Sequence, residues 1–184
     1  MSSDEGGEVF TKNQLEQIEQ GKRDGVNVSA YAKPEFNSLQ MNELRLGLMS
    51  GIDIHKYDNP KLNSFQMSEI RKGLESKVDI SLYSAVDMAY EKMKEIRLGL
   101  EEGINLAMYK TLPSGMLEML RKAIKAKVNI MDYIRKGYNP EQLEQIIEAL
   151  KNKINPEPYI NTDMRGIAIK EVCEGLSLGI DVTL

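Results

Sequence analysis

The sequence contains no tryptophan, one cysteine and one histidine among its 184 residues. A single Cys173 excludes an internal disulfide framework, and Cys173 with His55 cannot complete a zinc cluster. A chain without disulfides predicts a reducing, cytoplasmic setting. No stretch reaches the roughly 20 consecutive apolar residues of a membrane span, and the first residues do not resemble a signal peptide. We therefore expect no membrane contact.

Catalytic motifs are also missing. The sequence has no glycine-rich phosphate loop, no Ser/His/Asp arrangement and no metal-ligand spacing. We therefore expect a protein that is not an enzyme, with no catalytic residues, no metal and no cofactor. The formal net charge of −4 provides no broad basic surface for nonspecific nucleic-acid binding, although a local basic stripe remains compatible with that charge.

The sequence does contain an internal repeat. One column of aliphatic residues recurs every 26 positions, with one step of 24 positions. Its members are Ile18, Leu44, Ile70, Ile96, Leu120, Ile146 and Val172. Three residues later every repeat has glycine or alanine, and six residues after that every repeat has asparagine or aspartate. Six of the eight tyrosines fill one further column, so the pattern is not accidental.

Each repeat predicts one ordinary helix with a defined start. In the second repeat Asn37 is placed to cap the helix, and Gln40 at the third helical position can reach back to it. Phe36 before the cap can pack on Met41, so the stretch combines a capping box with a hydrophobic staple. The same box recurs at Thr11 with Gln14, Asn63 with Gln66, and Asn139 with Gln142.

The predicted helix ends are equally regular, because each falls where a residue in the left-handed conformation can stop a helix. Glycine occupies this position four times, at Gly25, Gly51, Gly103 and Gly179. Lysine occupies it three times, at Lys77, Lys127 and Lys153. A left-handed residue other than glycine costs roughly 1 kcal/mol.

A second, very short helix is predicted after each stop. Asp53 favours an N-cap, and Asn155-Pro156 repeats the cap-then-proline order of Asn139-Pro140. We interpret residues 53–57 and their copies as single 3₁₀-like turns. A β-strand at the IDI and VDI segments is the competing interpretation, which Pro156 disfavours because proline cannot serve a central strand.

These signals together predict an all-α fold. We expect an α-solenoid of seven repeats, each one α-helix plus one short 3₁₀-like turn, wound as a right-handed superhelix. Residues 1–9 are predicted to be a disordered acidic leader, and residues 10–184 a single α-solenoid repeat domain. The long helices are predicted at residues 11–24, 37–50, 63–76, 89–102, 114–126, 139–152 and 165–178.

The glycine and alanine column lies beside the predicted buried face. Glycine inside a helix costs up to about 1 kcal/mol relative to alanine, so five such glycines need a compensating gain. Close approach of neighbouring helices is the interpretation we favour, and helix kinks are the alternative.

Two polar columns are candidates for function. One contains Arg45, Arg71, Arg97 and Arg121. A row of arginines could bind carboxylates or phosphates in a bidentate manner. The interpretation we favour is a solvated helix face, on which Arg71 with Glu75 and Arg97 with Glu101 form i, i+4 pairs. The glutamate column two residues before, which contains Glu43, Glu69, Glu95 and Glu171, could also neutralise the row from the next repeat.

The tyrosine column has two interpretations as well. Its members are Tyr31, Tyr57, Tyr83, Tyr109, Tyr133 and Tyr159. Rings repeated once per unit could stack single-stranded bases. Alternatively the ring is a core element whose hydroxyl bonds a backbone carbonyl, and we favour this second interpretation.

An outward-facing apolar strip is the predicted contact for a partner. It contains Leu46, Met49 and Leu98, which lie on the arc of the helix predicted to face solvent. The alternative is that Leu46 and Leu98 pack against the adjacent repeat.

Two stretches carry a resemblance to known repeats, QMNELRLGLMSGIDIHKYDNP at residues 40–60 and QMSEIRKGLESKVDISLY at residues 66–83. They resemble repeats in proteins of bacterial conjugative elements and phages, sometimes beside antirestriction domains. The resemblance implies a mobile-element accessory protein that blunts host defence by binding a protein, and it assigns no site residues. The architecture is similar to the leucine-rich variant repeat, in which an α-helix alternates with a 3₁₀ turn.

The sequence thus predicts a non-enzymatic repeat scaffold that binds a partner protein. The alternative prediction is a nucleic-acid-binding solenoid that uses the arginine and tyrosine columns.

Overall fold

The computed structural model describes residues 10–182, so the predicted leader at residues 1–9 lies outside the described residues. Within that range the chain has eight α-helices, five 3₁₀ helices and no strand. The α-helices are α1 (Lys12–Arg23), α2 (Ser38–Met49), α3 (Ser64–Glu75), α4 (Tyr90–Glu101), α5 (Ser114–Lys125), α6 (Met131–Lys136), α7 (Pro140–Lys151) and α8 (Gly166–Ser177). The 3₁₀ helices are Val28–Ala30, Ile54–Lys56, Ile80–Leu82, Ala107–Tyr109 and Glu157–Tyr159.

The observed helices follow the repeat spacing. Every α-helix except α6 is twelve residues long, and each begins and ends within one residue of its predicted bounds. The all-α prediction is confirmed, since the IDI and VDI segments contain 3₁₀ helices or turns instead of strands. One short turn differs from the expectation, because α6 extends it to a six-residue α-helix.

Capping boxes start four of the long helices, as predicted. In α2 the Asn37 side chain accepts hydrogen bonds from the backbone N–H groups of Leu39 and Gln40, both at 3.0 Å. Gln40 Oε1 accepts in return from the Asn37 backbone N–H at 2.8 Å. The same boxes are formed by Thr11, Asn63 and Asn139.

The capping glutamines have a second role that the sequence did not reveal. Gln40 Nε2 donates to the backbone carbonyls of Pro60 at 3.0 Å and Leu62 at 2.6 Å, which belong to the loop that enters the next repeat. Gln14, Gln66 and Gln142 bond the equivalent carbonyls. These glutamines are buried, and each one hydrogen-bonds the first turn of its own helix to the residues that precede the next long helix.

The predicted stops are confirmed as well. Gly25, Gly51, Gly103 and Gly179 have φ angles between 69° and 77°. Lys77, Lys127 and Lys153 adopt the same left-handed conformation, with φ of 59°, 60° and 63°.

Three tyrosines of the repeated column are core residues, as favoured. Tyr31, Tyr57 and Tyr83 are fully buried. Their hydroxyls donate to the backbone carbonyls of Gln17, Glu43 and Glu69 at 2.9, 3.0 and 3.2 Å. Each of these carbonyls lies fourteen residues before its tyrosine. The hydrogen bond therefore joins the short turn of a repeat to the long helix of the same repeat.

The repeated glycines make room for these hydroxyls. A Cβ added at Gly21, Gly47 or Gly73 would lie only 1.9, 1.9 or 1.8 Å from the hydroxyl of Tyr31, Tyr57 or Tyr83. The prediction that the glycines let neighbouring helices approach is therefore wrong at these positions, because a side chain of the same repeat fills the space.

The chain divides into two compact parts at residue 97, which we call the N-terminal half (residues 10–97) and the C-terminal half (residues 98–182). In the N-terminal half α1 packs on α2 and α2 on α3, and in the C-terminal half α5 packs on α7 and α7 on α8. Within each half these long helices thus pack on the next long helix along the chain. None of the helices within residues 10–182 combines the length and the apolar character that a membrane crossing requires.

Candidate partner-binding surface

Helix α2 has a buried side and an exposed side. Met41, Leu44 and Gly47 are buried. Residues 39, 42, 46 and 49 are separated by three or four positions and line the opposite side, because an α-helix turns by 3.6 residues. We call these four residues and their equivalents on α3, residues 65, 68, 72 and 75, the outer strip.

The outer strip has four apolar side chains among its eight residues, Leu39, Leu46, Met49 and Phe65. Leu39, Met49 and Phe65 have exposed fractions of 62%, 53% and 60%, and Leu46 between them is half-buried. The Phe65 ring stacks on that of Tyr90, with ring centroids 4.9 Å apart. Because α2 and α3 pack on each other, these side chains lie on neighbouring helices instead of being scattered over the surface.

Charged groups follow at the carboxyl end of the α3 part of the strip. Lys72 Nζ lies 3.0 Å from Glu69 Oε1. Glu75 Oε1 accepts from Arg71 at 2.7 Å and from the Ser50 hydroxyl at 3.0 Å. An apolar centre beside satisfied polar groups is the usual arrangement of a protein–protein contact.

Two of the three residues predicted for the apolar strip lie on the outer strip, and the third lies on another helix. Leu46 and Met49 lie on the outer strip, and the Met49 sulfur contacts Arg45 Nη1 at 3.4 Å. Leu98 is half-buried on α4 and belongs to the C-terminal half. Leu39 and Phe65 were missed, although Leu39 precedes Leu46 by seven residues and so shares its helix face.

The arginine column is paired along the N-terminal half. Arg71 Nε lies 2.9 Å from Glu43 Oε2, and Arg97 Nε lies 2.8 Å from Glu69 Oε2. In both cases the glutamate stands 28 residues earlier. The predicted neutralisation of the row by this glutamate column is therefore confirmed at Arg71 and Arg97, and the structure shows that the glutamate comes from the preceding repeat.

The other two arginines are engaged as well. Arg45 bonds Asp24, Gln17 and Asn42, and Arg121 pairs with Glu102 at 3.3 Å. The exposed fraction of the side chain is between 10% and 14% for all four arginines, so the interpretation of the row as a solvated face is wrong. Partly covered guanidiniums that already bind carboxylates have few donors left for a ligand.

Burial also changes the pKa of the tyrosine hydroxyls. Removal from water raises the pKa of Tyr57 and of Tyr31 above the ordinary value, because it disfavours the phenolate. Their rings and that of Tyr83 are enclosed by the protein, so these three rings have no open face on which a base could stack.

The histidine and the cysteine of the sequence both lie within the described residues. No cluster of three or more His, Cys, Asp or Glu side chains within residues 10–182 could hold a metal ion. His55 is exposed, and its Nδ1 lies 3.0 Å from Asp58 Oδ2. Cys173 is buried, and burial raises the pKa of its thiol, which lowers the reactivity of the sulfur because the thiolate is the nucleophile.

Comparisons with protein-family models, with curated proteins and with solved structures give no match to this chain. The exposed apolar side chains of the outer strip are the starting point for a function.

Proposed function

We propose that this chain is a non-enzymatic repeat scaffold that binds a partner protein through the outer strip. The proposed architecture is a right-handed α-solenoid of seven repeats. Such repeats cannot bury an apolar face alone, and stacking them creates an extended binding surface. The regular starts of the seven twelve-residue helices and the packing of consecutive helices within each half support this architecture.

The observation that carries the proposal is the exposure of Leu39, Met49 and Phe65 on the adjacent helices α2 and α3. Leaving large apolar side chains in water forgoes roughly 1.5 to 3 kcal/mol each relative to burial. A partner that covers the outer strip would recover part of that free energy. The stacked Phe65 and Tyr90 rings supply the aromatic anchor that is common at the centre of protein interfaces.

The test is affinity capture from the native host, with mass spectrometry of protein and sequencing of nucleic acid. The strip variant carries Leu39→Ser, Met49→Ser and Phe65→Ser. The control variant carries Met108→Ser, since Met108 is 75% exposed and lies outside the strip. We expect a protein that is captured by the native chain and by the control, and that is lost with the strip variant. The circular dichroism of both variants should equal that of the native chain.

Two results would overturn the proposal. One is retention of every captured protein by a folded strip variant, and the other is recovery of nucleic acid alone. An apolar contact should also survive raised salt, whereas phosphate contacts weaken steeply. Salt dependence therefore separates the proposed function from the alternative in which Arg45, Arg71, Arg97 and Arg121 contact nucleic acid.

The proposal extends to interference with host defence, which rests on the resemblance of residues 40–60 and 66–83 to repeats of mobile elements. The purified chain should then inhibit a nuclease or another defence enzyme of the host at stoichiometric concentrations. Inhibition by the native chain, but not by the strip variant, would show that the outer strip both binds the partner protein and interferes with host defence. Unchanged activity across a panel of such enzymes would remove this extension and leave partner binding to be decided by capture.

A further inference from the structure

Isoleucine and cysteine continue the arginine column in the C-terminal half. The next two positions of the column after Arg121 contain Ile147 and Cys173. Ile147 and Met119, which stands 28 residues before it, are both buried, so apolar side chains occupy the two positions that an ion pair occupies in the N-terminal half. Cys173 follows Gln145 at the same separation. Its side chain is much shorter than that of arginine and cannot fill the same space.

A pocket with a volume of about 150 Å³ lies between α7 and α8 and is lined by Cys173. Its polar lining repeats the surroundings of Arg45. The side chain of Arg45 contacts residues that lie 28, 21 and 3 positions earlier and 4 positions later, namely Gln17, Asp24, Asn42 and Met49. The residues at the same separations from Cys173 all line the pocket, and they are Gln145, Asn152, Lys170 and Ser177. The pocket therefore corresponds to the place of the Arg45 guanidinium in an earlier repeat.

The pocket is rich in hydrogen-bond acceptors. Glu148 and Glu174 also line it. Asn152 Nδ2 donates to Glu148 Oε1 at 3.1 Å, which leaves the Asn152 Oδ1 as an acceptor. Hydrogen bonds from Lys151 and Asn152 lower the pKa of Glu148, so this carboxylate is ionised at neutral pH, and a carboxylate has room for about four hydrogen bonds. Lys170 brings positive charge to the lining, but its Nζ lies 3.6 Å from Glu174 Oε1.

Gln145 carries a further acceptor. Its counterpart Gln17 accepts a hydrogen bond from Arg45 Nε at 3.4 Å. Gln145 is half-buried in the middle of α7, and no other residue within 10–182 hydrogen-bonds its side chain. A polar group that is partly removed from water favours a hydrogen-bond partner. The Gln145 amide oxygen is therefore suited to a ligand that brings N–H groups.

We propose that the pocket between α7 and α8 binds a guanidinium group, supplied by an arginine side chain of a partner protein. A guanidinium carries its N–H donors in one plane and is more weakly hydrated than an ammonium. The two lining carboxylates and the amide oxygens of Gln145 and Asn152 accept the donors, and Ala149 and Ile154 of the lining contact the weakly hydrated face. The participation of a partner rests on the proposed function, whereas recognition of the guanidinium does not.

The first probe is ethylguanidinium, titrated at millimolar concentrations into the ¹⁵N-labelled chain and followed by NMR. N-ethylurea is the matched control for charge, because it has a similar planar shape and is neutral. Ethylammonium is the control for shape, because it has the charge without the plane. We expect ethylguanidinium to bind with a dissociation constant on the order of 10 mM and to shift the backbone amides of α7 and α8. Both controls should bind at least about threefold more weakly.

Three protein variants test the assigned contacts. Gln145→Glu should tighten the binding of ethylguanidinium about threefold to tenfold, because a glutamate occupies this position beside Arg71 and Arg97. Glu148→Gln should weaken it about threefold. Cys173→Arg places a guanidinium of the chain itself in the pocket and should abolish binding. The circular dichroism of each variant should equal that of the native chain.

Glu144→Gln is the matched control variant. It removes the same charge as Glu148→Gln from the same helix, at an exposed residue that does not line this pocket. We expect its affinity for ethylguanidinium to change by less than about twofold. Equal affinity for ethylguanidinium and N-ethylurea, equal affinities of Glu148→Gln and Glu144→Gln, or binding that a folded Cys173→Arg variant retains would each overturn the proposal.

Arginine with an acetylated amino group and an amidated carboxyl group tests the source of the guanidinium. It should bind at least as tightly as ethylguanidinium, because its capped ends resemble a residue within a chain. If ethylguanidinium binds and the capped arginine does not, a partner arginine is excluded and the ligand is a smaller free guanidinium compound.

Failure of this proposal is distinguishable from failure of the proposed function, because the outer strip contributes no residue to the pocket. If a captured protein is lost with the strip variant while ethylguanidinium does not bind, the scaffold function stands without this site. If capped arginine binds as expected but no protein is captured, the guanidinium site stands and the scaffold function fails.

Discussion

The hydroxyl of Tyr57 occupies the space that a side chain at Gly47 would fill. It reaches past the glycine and donates to the backbone carbonyl of Glu43 at 3.0 Å, and a Cβ on residue 47 would lie 1.9 Å from it. The glycine and the tyrosine of one repeat are therefore a matched pair. The same match holds for Gly21 with Tyr31 and for Gly73 with Tyr83.

Gly47→Ala should destabilise the protein, although alanine favours helices by up to about 1 kcal/mol over glycine. Overpacking of a filled core costs about 1 to 3 kcal/mol, and here the clash is with a hydroxyl that is held by a hydrogen bond. Urea denaturation should show a net loss of free energy of unfolding. In the double variant Gly47→Ala/Tyr57→Phe the clashing oxygen is gone, so the loss should be smaller than the sum of the two single losses. Strict additivity would contradict the pairing.

Gln40→Glu separates the two roles of the capping glutamine. The new carboxylate can still accept from the Asn37 backbone N–H, but it has no N–H for the carbonyls of Pro60 and Leu62. A buried polar group left without a hydrogen-bond partner costs about 1 to 3 kcal/mol. In this variant the carboxylate oxygens also face the carbonyl oxygens of Pro60 and Leu62, which carry partial charges of the same sign. We expect a loss of at least about 2 kcal/mol at neutral pH by urea denaturation.

The loss in Gln40→Glu should shrink as the pH is lowered. Burial beside two carbonyl oxygens raises the pKa of the glutamate in the folded state above its unfolded value of about 4.3. Protonation supplies one O–H donor, so stability is highest below the unfolded pKa and falls as pH rises through the folded pKa. Gln145→Glu is the control, because Gln145 is a half-buried glutamine in the middle of α7 and is not a capping residue. An equal, pH-independent loss in both variants would contradict the proposed role of Gln40.

Alkaline conditions should unfold the protein cooperatively. Burial raises the pKa of Tyr57 and of Tyr31, whereas an unfolded tyrosine titrates at about pH 10. Above that pH the unfolded state releases protons that the folded state keeps, so stability declines as pH rises toward the folded pKa. Tyrosinate absorbance and circular dichroism should change together, and Tyr57→Phe should make the decline less steep. If the tyrosinate absorbance showed that every tyrosine titrates while the circular dichroism stayed constant, cooperative alkaline unfolding would be excluded.

Lys127→Gly should stabilise the protein. The residue has a φ of 60°, a conformation that costs a side-chain-bearing residue roughly 1 kcal/mol and costs glycine little. The matched control is Lys125→Gly, two residues earlier and inside α5, where glycine should destabilise by up to about 1 kcal/mol. Thermal unfolding should therefore move in opposite directions for the two variants. A shift in the same direction would show that lysine at position 127 makes a contact that outweighs its strain.

The outer strip shows where sequence reasoning succeeded and where it stopped. The helical period identified Leu46 and Met49 as outward-facing, and both lie on the exposed side of α2. The same period contains Leu39 and Phe65, which the sequence analysis did not select. The stacking of Phe65 on Tyr90 joins residues 25 positions apart, and no pattern within one helix contains that information.

The sequence by itself determined where the helices begin and end. Asn37 and Gln40, or Ile124 and Lys127, lie three residues apart, so their hydrogen bonds and backbone conformations depend on the local chain alone. The tertiary structure decided what fills the space beside Gly47, which carbonyls receive the amide of Gln40, and which glutamate binds Arg71. Those contacts span 10 to 28 residues. They depend on the angle and separation at which one helix packs on the next, which are set by the whole buried surface and not by any single repeat.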